Sequence, residues 1–152
     1  MENIKLSNHF TLAEFINANK YPDNKPTMQH VVNMAYGCLM LLEPARQVVG
    51  PIIINSGFRN PRVNTLVEGV KNFQHLLGQA ADIRPKDPLQ FQRLVDFLRT
   101  CEHTDQLLTG NGWLHGSTSL GVLSAHLATT LGLGITNNKS AHRGLPLCTQ
   151  PS

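Results

Sequence analysis

The feature that most restricts the fold of this chain is a change of pattern at Gly50. Upstream, Val31, Met34, Ala35, Cys38, Leu41, Leu42, Ala45 and Val48 recur at three- and four-residue steps, the spacing that gathers apolar side chains on one face of a helix. Thr27, after Pro26, opens that helix, and Gly50 marks its end. Directly behind it stands PIIIN, a β-branched run bounded by Pro51 and by Ser56-Gly57, too short for a helix and suited to a buried strand. A core helix delivering the chain into a buried strand requires the two to share one core.

The remaining elements fit the same plan. In TLAEF, Thr11 and Glu14 have the spacing of a capping box and predict a short N-terminal helix. A loop is expected after Ser56-Gly57. Asp87-Pro88 marks a second large helix, with Leu89, Phe91, Leu94, Val95, Phe97 and Leu98 as its apolar side. TDQLL and GWLHG flank Thr109-Gly110-Asn111-Gly112, a link of the kind that joins two strands of a hairpin. The pattern is α+β without an internal repeat.

Composition narrows the function classes. A chain of 152 residues with 41% hydrophobic content suffices for one core that hides roughly 70% of the unfolded surface. The formal net charge of +3 is not gathered into a basic run, so nucleic acid is not an expected partner. Cys38, Cys101 and Cys148 are odd in number and lack metal-ligand spacing, which predicts structural, buried or free thiols made in a reducing compartment. MENIKLSNHF has no apolar signal region, and no window approaches the ~20 apolar residues of a membrane span. A soluble protein made in the cytoplasm without a signal peptide is expected.

One stretch promises chemistry. NFQHLLGQAADIRP, residues 72–85, sets His75 and Asp82 on either side of Gly78. In one helix the two would be offset by about 10 Å, and in one strand by about 23 Å. Zinc takes imidazole nitrogen and carboxylate oxygen at roughly 2.0 to 2.2 Å, so a shared ion requires the chain to reverse between them. Gly78 supplies the permissive backbone for a bend at LLG. QAADI would then enter a strand, with Ala80 and Asp82 on one face and Ala81 and Ile83 on the other. Two ligands do not complete a zinc site, and His115 on the hairpin is the candidate third, sharing a face with Trp113 while Leu114 points away. Against this stand plainer readings: a histidine in apolar surroundings is more often a satisfied core residue, and Asp82 could cap or pair with Arg84. A carboxylate among alanines and an isoleucine is nevertheless costly to bury without a cation. His9, His30, His103, His126 and His142 have no spacing that recruits them.

The order SGFRNPRVN, HLLGQAAD, DQLL and WLH resembles the M15 zinc peptidases, the D-alanyl-D-alanine carboxypeptidase and phage cell-wall endopeptidase family, from about His9 to His115. The resemblance implies a Hedgehog/DD-peptidase-like core, a small antiparallel sheet packed against two main helices. It further implies Zn2+ held by His75, Asp82 and His115 with water in the fourth position, and hydrolysis of peptide bonds in peptidoglycan stem peptides. Arg59 would contact a substrate carboxylate or carbonyl, with Ser56 nearby, unless it is an ordinary salt-bridge partner. Asn64 and Gln74 could add polar contacts. Trp113 is a candidate for the substrate surface or a packing wall.

Two departures from the family pattern bear on turnover. Phe73 stands where family members usually carry a serine, and Thr109, Gly110, Asn111 and Gly112 fill the interval where they carry an acidic general base. Asp105 is the nearest upstream acid but sits at the Asp-Gln-Leu position. No catalytic base is therefore assigned, and the alternative is a catalytically impaired zinc-containing module that binds cell wall or protein. A Hedgehog-like signalling domain is a third, weaker reading. Beyond residue 115 the composition shifts to Ser, Thr, Leu and Gly, which divides the chain into a domain of residues 1–115 and a divergent tail, 116–152. That tail is either the product of an altered reading frame or a lineage-specific extension with LGVLSAHLATTLGLG as an apolar helix. Action on the cell wall would require export or release.

Overall fold

The computed structural model describes residues 4–67 and 73–118. The side chain of Phe73, Cys148, His126, His142 and the tail from residue 119 onward lie outside the described residues.

The short helix α1 (Leu12–Ile16) begins where expected, with the Thr11 amide donating to Glu14 Oε2 at 2.8 Å. Helix α2 (Met28–Gly37) is capped by Thr27, whose hydroxyl accepts the His30 amide at 3.4 Å while its own amide donates to His30 Nδ1 at 3.0 Å. The apolar periodicity then continues through a π-helical turn (Cys38–Leu42) into α3 (Glu43–Val49). Periodicity alone gave one helix, and the wider turn has a local cause. Pro44 has no N–H for an ordinary helical bond, and the chain passes it with the Glu43 amide bonded back to the Cys38 carbonyl. Gly50, at φ 80°, ends the run, and strand β1 (Ile52–Ser56) follows at once.

The segment expected as a loop holds helix α4 (Pro61–Leu66), with the Asn60 side chain accepting from the Val63 amide and Pro61 in the first turn. Helix α5 (Phe73–Leu77) leads into strand β2 (Ala80–Pro85). Asp87 caps a single 3-10 turn (Pro88–Gln90) that runs into α6 (Phe91–Thr100). Leu94, Val95 and Leu98 face the core as expected, whereas Leu89 is 90% exposed because it lies in the 3-10 turn, out of phase with that face. Strands β3 (Gln106–Thr109) and β4 (Leu114–Ser117) form the predicted hairpin, closed by the Gly110 amide on the Trp113 carbonyl at 2.8 Å.

The four strands make one antiparallel sheet in the order β1-β2-β4-β3. Ala81, Ile83 and Leu114 from its inner face join Met34, Cys38, Leu41, Leu42, Leu94 and Leu98 from the two main helical segments in a contiguous core. The architecture is the α+β arrangement of a small antiparallel sheet packed on helices. Cys38 is a free thiol, and burial pushes its pKa far up, which suits an inert core position. Strand β4 runs on through Gly116 and Ser117, paired with Ala81 and Ala80. Among the described residues no helix is long and apolar enough to cross a membrane.

Candidate metal centre

The reversal between His75 and Asp82 is a helix stop. Gly78 adopts φ 76°, its amide bonds the His75 carbonyl at 3.3 Å, and the Gln79 amide bonds the Gln74 carbonyl at 2.7 Å. This is the Schellman pattern, which turns α5 directly into β2. The position requires glycine twice over, since a Cβ there would lie 2.8 Å from the His30 carbonyl oxygen on α2. His75 is thereby pressed against the start of β2 with 1% of its surface exposed.

Strand register supplies the other two residues. Asp82 on β2 lies directly opposite His115 on β4, and the side chains of such a pair share a face. On the other flank the β1 register slips between Ile54 and Ser56, and this bulge brings Ser56 opposite Asp82. Ser56, Asp82, His115 and Leu108 thus form one row across the outer face of the sheet.

Three ligand atoms converge on that row. His75 Nε2 is 3.2 Å and His115 Nδ1 is 3.0 Å from the same oxygen, Asp82 Oδ1. The donor atoms of the three side chains all lie within 4.8 Å of one another. His75 Nδ1 sits 2.7 Å from the Gly57 carbonyl, which can only accept, so Nδ1 carries the proton. A neutral His75 then turns an Nε2 lone pair toward a carboxylate oxygen. Two acceptors facing each other at that distance require a proton or a cation between them, and a backbone-oriented imidazole is the usual partner of a metal. Burial opposes charge on Asp82, but hydrogen bonds with His115 and His75 outweigh it and hold the carboxyl well below the usual range.

Asp82 does not pair with Arg84. Its second oxygen, Oδ2, accepts from Arg59 Nη2 at 2.9 Å. The same guanidinium donates through Nε to Ser56 Oγ at 2.9 Å and through Nη1 to Asn64 Oδ1 at 3.3 Å. Each nitrogen of the fork therefore has a protein acceptor, and Oδ1 is left to face the histidines. The resemblance implies that Arg59 and Ser56 face substrate; in the structure the guanidinium bonds the Asp82 carboxylate and Ser56 Oγ accepts from it.

A family model for Peptidase M15 matches residues 8–117. The chain belongs to the M15 peptidase family. No curated protein and no solved structure matches it.

In this M15 peptidase the three expected ligands meet, and the chemistry of the donor set, two imidazoles and a carboxylate, fits a divalent cation. The Trp113 indole lies over Gly110 in the hairpin turn and remains 39% exposed, beside the row and not within it. Asp105 is held away from the triad: its carboxylate accepts from Gln74 Nε2 at 2.6 Å and its amide bonds the Ser117 carbonyl at 2.7 Å. Gly57 escaped sequence reasoning because it acts through a backbone carbonyl. Its signal is steric, since a Cβ at Gly57 would fall 2.5 Å from Phe15 Cδ1.

Proposed function

We propose that this M15 peptidase is a zinc-dependent hydrolase of peptide bonds in peptidoglycan stem peptides. The observation that carries this reading is the opposition of His75 Nε2 and Asp82 Oδ1, two acceptors that need a cation or a proton between them, with His115 Nδ1 on the same oxygen. Zinc, when bound, supplies the Lewis acidity that activates water and polarises a peptide carbonyl. The protein's part is to hold the ligand atoms still. Gly57 fixes the tautomer and plane of His75, Arg59 turns Asp82 so that one oxygen is presented, and strand pairing fixes His115. Stem peptides are the substrate class through kinship with the carboxypeptidase and endopeptidase members of the family, and action on them would follow export or release of the protein.

One observation favours a second reading, a zinc-containing module that binds wall or protein without turnover. The turn ahead of His115 offers no carboxylate, and among the described residues Asp82 is the only acid in the metal cluster. Purified protein assayed for zinc, and for release of peptides from peptidoglycan with and without chelator, separates the two. Chelator-sensitive release supports the hydrolase; zinc without release leaves the binding module.

A further inference from the structure

We propose that Arg84, together with Trp113 and Leu108 across the same sheet, forms the substrate-reading edge of the site and takes a carboxylate of the bound peptide. The assignment rests on the peptidase reading for its substrate class. Its first support is what Arg59 is already doing. The cation expected to meet a substrate carboxylate has its three nitrogens directed at Asp82, Ser56 and Asn64. Three of its five N–H donors are thus committed to the protein, which leaves it less free than an unpaired guanidinium to grip a further anion.

The second support is a gradient of burial across the outer face of the sheet. Toward one end the row of Asp82 and His115 is closed, with Ala80 4% and Ser117 1% exposed. Toward the other end it opens. Arg84 is two residues beyond Asp82 on β2, hence on the same face and roughly 7 Å along the strand. It is exposed and makes no hydrogen bond or ion pair with any described residue. Trp113 immediately precedes Leu114, the partner of Ile83, and so stands next to Arg84 at the mouth of the site. Leu108, opposite His115 on β3, is 60% exposed and extends the same rim. A ligand extending along this face from the triad meets an unpaired guanidinium, with Trp113 on the neighbouring strand's approach and Leu108 one strand further. That surface suits a carboxylate next to small apolar side chains, since an Arg fork pairs with two oxygens in one plane.

Another cation near the centre's supports is Lys20, on a separate cavity of about 150 Å3 that also touches Ser56 and Arg59. It serves as the control. Trp113 is the chain's single tryptophan, so its emission reports occupancy of the proposed edge directly. Zinc-loaded protein is titrated with N-acetyl-D-alanyl-D-alanine and with its C-terminal amide, with readings taken before turnover. The wild type should bind the acid about tenfold more tightly than the amide, the weight of one charge-assisted contact. R84Q should bind both alike, and R84K should recover part of the difference. The assignment is overturned if the wild type binds neither peptide or shows no preference, if R84Q keeps the wild-type preference, or if K20Q abolishes it instead. Release of D-alanine is followed in the same samples. A preserved acid preference without release would count against the hydrolase and leave the Arg84 assignment standing.

Discussion

Among the described residues, two carboxylates within 3.2 Å of a histidine nitrogen anchor clusters, and the two clusters do different things. At the surface, Glu43 Oε1 lies 2.7 Å from His9 Nδ1, while its Oε2 accepts the Ser7 hydroxyl at 2.5 Å and the His9 amide at 2.9 Å. In the sheet, Asp82 Oδ1 faces His75 and His115 at 3.2 and 3.0 Å. Distances alone would rank the Glu43 cluster higher. The difference lies in the partners: Glu43 meets one imidazole nitrogen together with a hydroxyl and an amide that donate to it, whereas Asp82 Oδ1 meets two imidazole nitrogens, and the ring proton of one, His75, is committed elsewhere. A closed set of hydrogen bonds staples a loop, and an opposed pair of acceptors calls for a cation or a proton between them.

Removal of a ligand should break this comparison most sharply. His75→Ala should lose its metal on dialysis, falling from about one zinc per chain to near none, while Glu43→Gln keeps the full content. Equal zinc in H75A and the parent would end the metal reading. Gly78→Ala comes next. It forces a Cβ into a left-handed turn and against the His30 carbonyl, so we expect a loss of about 2 kcal/mol or more in urea unfolding, with weaker zinc binding because the turn spaces two ligands. An unchanged midpoint would show that the reversal tolerates a side chain. Arg59→Gln should weaken zinc binding by about 10- to 100-fold in competition with a chelator, as loss of a ligand's support does elsewhere, while the fold survives. Ser7→Ala, the matching change at Glu43, should leave zinc affinity alone.

How much of this was legible beforehand depended on whether the signal was local. The hairpin, β1, the caps at Thr11 and Thr27 and the bend at Gly78 all follow from short-range chemistry, and that chemistry was in plain view. The ligand set needed the family order, because nothing in the spacing of residues 75, 82 and 115 states that β2 and β4 are neighbours in register. The Asn60-Pro61 cap of α4 is a local signal too, but Asn and Pro after Gly57 fit a loop equally well. The π-helical turn at Cys38–Leu42 and the β1 bulge were hidden, since each corrects a backbone pattern and leaves side-chain periodicity almost untouched. Arg59 shows the limit most clearly. Its motif marks it as functional, but only the distances to Asp82, Ser56 and Asn64 say which way the fork points.

The smallest effect belongs to the closed cluster itself, and its sign can be worked out. Burial works against charge on Glu43, yet the hydrogen bonds from Ser7 and His9 prevail and hold its pKa below the ordinary 4.5. A carboxyl depressed on folding stabilises the protein above its unfolded value, and that contribution fades as pH falls through the folded value. Glu43→Gln should therefore cost about 1 kcal/mol near neutrality, because His9 is half exposed and the pair is partly screened. As pH falls below the ordinary 4.5 and through the lower folded value the gap between parent and variant should narrow, since protonated Glu43 no longer accepts as a carboxylate. Urea midpoints across that range provide the measurement. A gap that stays constant with pH would mean that the staple acts by shape rather than charge, which would remove the electrostatic half of the contrast with Asp82.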